Sequence, residues 1–281
     1  MLRTRSPVRL LTTDDREAAS SLCAQDPAAN VYVASRILDG ALGLGSTAVS
    51  GYFEDEALTS MVWTIANVVP VSTHADSRAA FADRVRKVRR RCASFLGPHD
   101  EVMAMWDEVG ESFARPRSVR GQQPLMGMRD TPSSRGVELD PRVRPGLVEE
   151  TDLVLPAAEH MFTEEIGYPP YQGSSTYYAD TLRTLLRKNR TYVVVEDGAV
   201  IFKADVGSVA LGCAQIQGVW LAPHLRGQGL AAPMMASVVE MTLAHHAPWV
   251  TLYVNDYNAP AIATYERIGM ERIGAFATIL F

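Results

Sequence analysis

A chain of 281 residues with 47% hydrophobic and 21% charged residues has the composition of a globular protein with a substantial core, which excludes wholesale disorder and a fibrous fold. The 32 acidic side chains outnumber the 27 Lys and Arg, and the formal net charge of -5 repels nucleic acid and anionic lipid, so we expect neither as a partner. Three well-separated cysteines without a CxxC pair indicate a reducing compartment, and no metal site is predicted.

Residues 1–11 are basic, but Pro7 interrupts them before any long apolar run, so they lack the pattern of a secretory signal. No apolar stretch approaches the roughly 20 residues that a helix needs to cross a bilayer. We therefore expect a cytoplasmic protein without a membrane segment.

The first half of the chain alternates strand-like apolar runs with amphipathic segments. Helices are predicted over residues 14–42, 76–91 and 99–110, and strands over residues 47–53, 58–66, 68–72 and 93–96. This alternation is typical of an α/β fold with a mixed sheet.

Residues 129–145 mark the clearest seam in the sequence. Three prolines and a Ser-Ser-Arg-Gly stretch interrupt the apolar periodicity there, as they do in linkers. We place a linker at residues 129–143, between an N-terminal domain of residues 1–128 and a C-terminal domain of residues 144–281.

The second half gives sharper signals. Asp152 fits the start of a helix, Asp197-Gly198 supplies the positive φ of a tight hairpin turn, and Gly269 ends the last helix. Helices are predicted over residues 152–166, 174–188, 230–246 and 259–268, and strands over residues 144–148, 191–196, 199–204, 208–221 and 250–254. A last strand or short hairpin is predicted over residues 270–281.

A glycine-containing loop connects the long strand that ends at Leu221 to the next helix. At a helix start, free N–H groups and the helix dipole attract an anion. Gly227 and Gly229 let the backbone approach a phosphate closely, and Arg226 adds a charged contact. A diphosphate is therefore the expected ligand, although an ordinary strand-to-helix turn can have the same sequence.

Two segments together resemble the GNAT acetyltransferase superfamily. In residues 219–231, VWLAPHLRGQGLA, the family's acyl-CoA motif (Arg or Gln, two residues, Gly, one residue, Gly or Ala) is matched by Arg226, Gly229 and Ala231. Residues 252–270 look like its second motif, in which a strand ends in Asn, a helix starts at Asn, and a Tyr precedes a Gly step. The resemblance covers about residues 144–281 and implies a GNAT fold there.

The resemblance also implies a role for each matched position. The acyl donor would be acetyl-CoA, with its pantetheine arm along the backbone of the strand end, its pyrophosphate on the loop amides, and its thioester sulfur beside Tyr265. The implied binding residues are Val219, Leu221, Arg226, Gly227, Gln228, Gly229, Leu230, Ala231, Asn255 and Asn258.

The spacing within the second motif supports this interpretation. Asn258 and Tyr265 are seven residues apart and so share one helix face, although Asn258 also fits a helix N-cap and Tyr265 a core tyrosine. A phenol titrates about 1.5 units above a thiol. We therefore expect Tyr265 to donate a hydrogen bond to the leaving thiolate, with proton transfer late or shared.

The sequence identifies the general base less clearly. An alkylamine is protonated near pH 7, so the reaction needs a base, a water chain or an acceptor of low pKa. Glu164 and Glu165 end a helix in the region that shapes the acceptor pocket of the resembling family, but each also fits a solvated helix end. The carboxylate of Phe281 is an alternative. An aromatic acceptor slot, or simple packing, would account for Tyr168, Tyr171, Tyr177 and Tyr178.

The N-terminal half lacks the acyl-CoA motif. After the predicted strand at residues 93–96, the sequence GPHDE has neither a second glycine nor a basic residue, and it places acid where a phosphate would bind. The element order still resembles a degenerate GNAT-like domain, as in bacterial tandem-domain GNAT proteins. The basic run at residues 84–91 is interpreted as a solvated helix face.

The sequence thus predicts an acyl-CoA-dependent N-acetyltransferase that moves an acetyl group to a primary amine, with a small molecule favoured over a protein as acceptor. Two alternatives stay open: a non-catalytic acyl-CoA-binding or regulatory module, and an unrelated phosphate-binding enzyme. Neither the acceptor nor the oligomeric state follows from the sequence.

Overall fold

The computed structural model describes residues 6–43 and 45–281, so the first five residues of the segment considered as a possible signal lie outside the described residues. The chain forms two compact units. Unit 1 contains the residues up to Leu125 together with Tyr253–Tyr257 and Arg272–Phe281, and unit 2 contains Met126–Leu252 and Asn258–Glu271.

Strands and helices alternate along the chain, which confirms the predicted α/β class with a mixed sheet. None of the helices in the described part of the chain is both long and apolar enough to cross a membrane. In chain order the elements are β1 (Val8–Leu10), α1 (Arg16–Cys23), α2 (Pro27–Leu38), β2 (Val49–Glu54), β3 (Ala57–Trp63), β4 (Asn67–Val71), α3 (Ala75–Val88), β5 (Ser94–Pro98), α4 (His99–Val109), β6 (Ser118–Met128), β7 (Arg144–Pro145), α5 (Thr151–Ile166), α6 (Thr176–Arg187), β8 (Thr191–Glu196), β9 (Ala199–Ala210), β10 (Cys213–Leu221), α7 (Ala231–His245), β11 (Trp249–Tyr253), α8 (Ala259–Arg267) and β12 (Glu271–Leu280).

The single helix predicted over residues 14–42 is wrong, because the structure has two helices there. Asp26 accepts a hydrogen bond from the amide of Ala29 (3.1 Å) and caps α2, and Pro27 occupies the first helical position, where an N–H group is not needed. Inside a continuous helix the Pro27 ring would clash with the preceding turn, and α1 ends before it.

Two strand predictions also need correction. The strand predicted over residues 208–221 is a hairpin, because β9 ends at Ala210 and the chain turns at Leu211 and Gly212 with φ values of 55° and 69°. β6 has no counterpart among the predicted elements, since the glycines and the proline in SVRGQQPLMGM lower its strand propensity.

Unit 1 is built on a sheet in the order β1-β2-β3-β4-β5-β12-β6. β4 and β5 are parallel, whereas β1 to β4 pair antiparallel in sequence. β12 pairs antiparallel with β5, with Phe276 opposite Pro98, so the last strand of the chain completes this sheet. Its core contains Phe81, Phe95, Met105 and Ile279.

Unit 2 contains strands in the order β7-β8-β9-β10-β11, of which the first four are antiparallel and the last pair is parallel. α5 packs against β9, β10 and α6, and α7 packs against α8. The buried side chains include Tyr192, Phe202, Met234 and Val238. This arrangement fixes the ends of β10 and α5 and the start of α7, which carry most of the predicted site.

Residues 129–143, the predicted linker, run along α7. Ser133 Oγ donates to Glu240 at 2.6 Å, the amide of Asp140 donates to the carbonyl of Pro233 at 3.2 Å, and Ser237 Oγ donates to the carbonyl of Asp140 at 2.9 Å. The segment is therefore hydrogen-bonded into unit 2. The domain limits given by the sequence stay a prediction.

Candidate active site

The carboxyl ends of β10 and β11 lie at one edge of the unit 2 sheet, because the two strands are parallel. Their register pairs Cys213 with Trp249 and Gln215 with Thr251, and within the described residues the pairing does not extend further. β10 nevertheless continues to Leu221. The strands thus part at the edge where open α/β sheets bind their ligands.

A β-bulge interrupts β10 in this diverging segment. Gln217 lies opposite Asp205 of β9 and Trp220 lies opposite Lys203, so β10 carries one extra residue between these pairs. Gly218 has a φ of 60°, and a Cβ atom there would lie 3.0 Å from Asp205 Oδ2. Both the backbone conformation and the crowded space therefore favour glycine at this position.

The loop between β10 and α7 presents free backbone amides at its surface. Gly227 and Gly229 have φ values of 77° and 81°, and no atom lies within 4 Å of a Cβ built on either. In the part of the chain that the structure describes, the amides of Gly227, Gln228 and Gly229 donate to no protein acceptor. Leu230 is the N-cap residue and Ala231 begins α7. An anion would meet these amides together with the helix dipole.

Arg226 has two partners, and both lie in unit 2. Its Nε donates to the carbonyl of Leu221 at 2.9 Å, and its Nη2 donates to Glu164 Oε2 at 2.7 Å. The side chain therefore ties the end of β10 to the end of α5, and the Leu221 carbonyl already accepts this bond. The predicted contact of Arg226 with a phosphate stays a prediction. Gln228 turns its amide to the carbonyl of His224, at 2.8 Å.

Tyr265 lies in α8, and Asn258 directly precedes that helix. Asn258 caps the helix, with its side chain accepting from the amide of Ala261 at 3.3 Å, and Tyr265 is 6% exposed. Burial raises the pKa of Tyr265, and the negative charge of nearby Glu165 raises it further. The phenol therefore stays protonated and able to donate throughout the physiological range.

Two predicted binding residues have other surroundings. Asn255 belongs to unit 1, where Gln123 Nε2 donates to its side-chain oxygen at 2.9 Å. Val219 lies in the bulge of β10. The structure thus joins Arg226 to the end of β10 and to Glu164, and it places Glu165 within electrostatic reach of Tyr265, whereas Asn255 is described with unit 1.

The sequence of this region matches the model of the Acetyltransferase (GNAT) family over residues 158–270, which include the loop and α8. This matched segment of the chain is therefore identified as a GNAT domain. Residues 47–154 match a domain of unknown function, DUF4081. A comparison with the curated proteins finds no match.

Solved structures share the fold over nearly the whole chain. The GCN5-related N-acetyltransferase from Sphaerobacter thermophilus aligns with a TM-score of 0.66 and 15% identity over 97% of this chain and 94% of its own. An acetyltransferase of the GNAT family from Colwellia psychrerythraea aligns with a TM-score of 0.54 and 11% identity over 93% of this chain and 96% of its own. A tandem GNAT protein from the clavulanic acid biosynthesis pathway aligns with a TM-score of 0.54 and 16% identity over 96% of this chain and 97% of its own. These identities establish a common fold, and the family match assigns the GNAT domain to acyl transfer as a class of activity.

The predicted aromatic slot of the GNAT domain is partly a hydrogen-bonded cluster. The hydroxyl of Tyr171 donates to Glu159, which raises the pKa of Tyr171, and the hydroxyl of Tyr178 donates to the carbonyl of Ala158 at 3.0 Å. The rings of Tyr171 and Tyr178 are 6.1 Å apart. By contrast, Tyr177 is 86% exposed, so its ring does not line the predicted slot.

Unit 1 repeats the order of elements of the GNAT domain, and this order shows that GPHDE is not the counterpart of the phosphate loop. The parallel pair β4 and β5 corresponds to β10 and β11, so the phosphate loop corresponds to residues 72–74 before α3, rather than to GPHDE after β5. In this short connection the amide of Thr73 donates to Glu101 at 2.9 Å. A carboxylate of unit 1 thus takes an amide position that a phosphate would need.

The alternative base, the carboxylate of Phe281, belongs to unit 1. The ring of Phe281 stacks on Phe113 with centroids 5.4 Å apart, and its amide donates to the carbonyl of Ala93 at 3.1 Å. The chain end therefore packs on the core of that unit.

Sequence reasoning overlooked one functional candidate, the ion pair of Lys203 and Asp205. Both side chains are buried beneath the bulge of β10. A signal was present, because a Lys and an Asp two residues apart interrupt the otherwise apolar run of β9 and must share one face of the strand.

Proposed function

We propose that the chain transfers the acetyl group of acetyl-CoA to a primary amine of a small molecule. The observation that supports this most is the set of free loop amides of Gly227, Gln228 and Gly229, located at the sheet edge where β10 separates from β11. Such a loop suits the pyrophosphate of a coenzyme, and the parted strand offers backbone groups to an extended arm.

The transfer itself breaks the carbon–sulfur bond of the thioester and forms a carbon–nitrogen bond. The amine gives one proton to a base, and coenzyme A leaves as a thiolate that takes one proton from solvent. Tyr265 would stabilise the leaving sulfur by donating a hydrogen bond. Because burial raises the pKa of Tyr265, complete transfer of its proton to a thiolate would be strongly uphill. The phenol therefore acts as a donor rather than as the acid.

Of the two candidate bases, Glu165 has the better support. Its negative charge contributes to the raised pKa of Tyr265, so the carboxylate is close enough to act on the phenol electrostatically. Glu164 is instead paired with Arg226 at 2.7 Å. A carboxylate near Tyr265 could accept the amine proton directly or through one water molecule.

Calorimetry with acetyl-CoA, followed by thiol-release assays over a panel of small amines, tests this proposal. We expect binding of acetyl-CoA and release of the thiol with at least one amine. Binding without release on any amine or peptide would favour the non-catalytic acyl-CoA-binding module. If acetyl-CoA does not bind at all, both acyl-CoA interpretations are wrong.

A further inference from the structure

A buried ion pair lies under the bulge of β10. Lys203 is 0% exposed and Asp205 is 5% exposed. Lys203 Nζ donates to Asp205 Oδ2, and Thr191 Oγ1 donates to Asp205 Oδ1 at 2.8 Å. Taking two charges out of water carries a large penalty, and apolar residues of similar volume often give equal or greater stability. We therefore expect the pair to have a role other than stabilising the fold, and its contacts indicate which role.

The informative contact is the one to the bulge itself. Lys203 Nζ also donates to the carbonyl of Gly218, at 3.3 Å. A bulge disrupts the regular ladder of hydrogen bonds, so this carbonyl depends on other donors to fix its direction. Because C=O and N–H of a trans peptide point in opposite directions, Lys203 also fixes the N–H of Val219, which points away from the lysine.

The positive charge has a second effect on the same peptide. A cation bonded to a carbonyl oxygen polarises the amide and makes its N–H a stronger donor. Preorganised donors of this kind stabilise the negative charge that develops on a carbonyl oxygen during acyl transfer. Val219 lies on the diverging part of β10, where the acyl donor is proposed to bind.

We infer that Lys203 is a positioning residue for acyl transfer, which holds the Gly218 carbonyl and thereby aims and polarises the Val219 N–H toward the reacting carbonyl oxygen. This inference rests on the proposed function. Asp205 keeps Lys203 in place, and Thr191 holds Asp205 without contacting the bulge.

The Gly218–Val219 peptide can be observed directly by NMR. The sequence contains two Gly–Val bonds, at residues 136–137 and 218–219. Labelling glycine carbonyls with ¹³C and valine amides with ¹⁵N therefore gives two correlations, one from the bulge and one from an exposed turn as an internal control. The test variant carries Lys203→Met together with Asp205→Asn, so that no unpaired charge is left buried.

We expect this double variant to displace the bulge correlation, leave the correlation of residues 136–137 in place, and lower kcat roughly tenfold to hundredfold with the acetyl-CoA Kd within about threefold. Thr191→Val is the control, because it disturbs only the far side of the pair. It should lower the melting temperature, with kcat within about fivefold of the unmodified chain.

A folded double variant with an unmoved bulge correlation would show that Lys203 does not hold the bulge. A displaced correlation with unchanged kcat, or an equal loss of kcat in the Thr191→Val control, would refute the positioning role. Failure of the proposed function gives a different pattern: acetyl-CoA then shifts neither correlation of the unmodified chain and gives no heat. In that case the link to acyl transfer is wrong, whatever the variant does to the bulge.

Discussion

The hydroxyl of Tyr265 is a donor whose removal should slow the chemical step without weakening binding of the acyl donor. Loss of a hydrogen bond to a charged sulfur costs about 1.5–3 kcal/mol, so Tyr265→Phe should lower kcat roughly tenfold to hundredfold. Since the pKa of Tyr265 is raised, the alkaline limb of the pH–rate profile should persist in the variant. Steady-state kinetics at saturating acetyl-CoA across pH 6–10 measure both effects.

Tyr192→Phe is the matched control, because Tyr192 is also a buried phenol with a raised pKa, caused by desolvation. Its kcat should equal that of the unmodified chain. A Tyr265→Phe variant with unchanged kcat would remove Tyr265 from the mechanism.

The neighbours Glu164 and Glu165 should separate into two different phenotypes. Glu165→Gln removes the proposed base and should lower kcat by roughly 10²–10⁴. Glu164→Gln releases Arg226 from a half-exposed pair worth about 0–1 kcal/mol, so kcat should change little while the acetyl-CoA Kd tightens up to about fivefold at low salt. Steady-state kinetics measure kcat and calorimetry measures the acetyl-CoA Kd of both variants. Equal losses of kcat in the two variants would show that neither residue is the base.

At the scale of the element, the loop before α7 works through its backbone, and its glycines can be tested by a matched pair. Gly229→Ala introduces no clash, but it strains a φ of 81° by about 1–2 kcal/mol. The free loop can relax out of this conformation, so the penalty should appear on binding, as a roughly tenfold weaker acetyl-CoA Kd in calorimetry.

Gly136→Ala is the control for this strain. Gly136 has a φ of 76° and equally open space, but it ends the short turn at Pro132–Arg135 and is not part of the loop before α7. The same strain of about 1–2 kcal/mol should lower the folding stability of this variant, and its acetyl-CoA Kd should equal that of the unmodified chain. If the two variants bind acetyl-CoA equally well, the conformation of the loop does not matter for binding.

Local chemistry explains which elements could be predicted. The turn at Asp197 and Gly198, the loop glycines and the Asn258 cap each follow from the conformational preference of one or two residues, and the sequence carries those preferences. The helix break at Pro27 follows the same logic and was available in the sequence. The strand β6 could not be predicted from the sequence, because its pairing in the unit 1 sheet overrides a poor local strand propensity.

The side-chain partners of the site could not be predicted in the same way. Arg226 and Glu164 are 62 positions apart, and Lys203 and the Gly218 carbonyl are 15 apart, so their contacts depend on how α5, β9 and β10 pack. The motif identified the position of Arg226 but not the direction of its guanidinium. Tertiary contacts of this kind decide what a motif residue does.

For the whole molecule, the two units show how one element order can keep or lose a ligand site. The GNAT domain has a nine-residue connection, residues 222–230, with two glycines at positive φ and free amides. The corresponding connection of unit 1 is short, and its Thr73 amide and hydroxyl are both bonded to Glu101. An internal carboxylate at this helix start repels a second anion, so we predict no counterpart in unit 1 to the acyl-CoA site proposed for the GNAT domain.

The charge pattern of the whole chain predicts how its stability changes with pH. Arg9 holds the pKa of Asp15 at about 2, and arginine partners also lower the pKa of Asp140 and Glu150. Carboxyl groups with lowered pKa values stabilise the fold at pH values above about 4, the pKa of the unfolded chain, and this contribution is lost as the pH falls toward 2.

Burial raises the pKa of Cys92 to about 11 and of Cys23 to about 12, and it also raises the pKa of Tyr265. Raised values give stability that is complete below about pH 8.5 and is lost at higher pH.

Melting temperatures should therefore be highest near pH 7–8.5 and fall on both sides. Asp15→Asn should cost about 1–2 kcal/mol at pH 7, a figure reduced because Arg9 is half exposed, and should flatten the acid side of the curve. Tyr265→Phe should flatten the alkaline side and leave the acid side unchanged, because a phenylalanine has no proton to lose. Thermal unfolding of the three proteins from pH 3 to 11 measures this. Acid limbs that superimpose for Asp15→Asn and the unmodified chain would show that the Arg9–Asp15 pair does not contribute to the acid sensitivity of the fold.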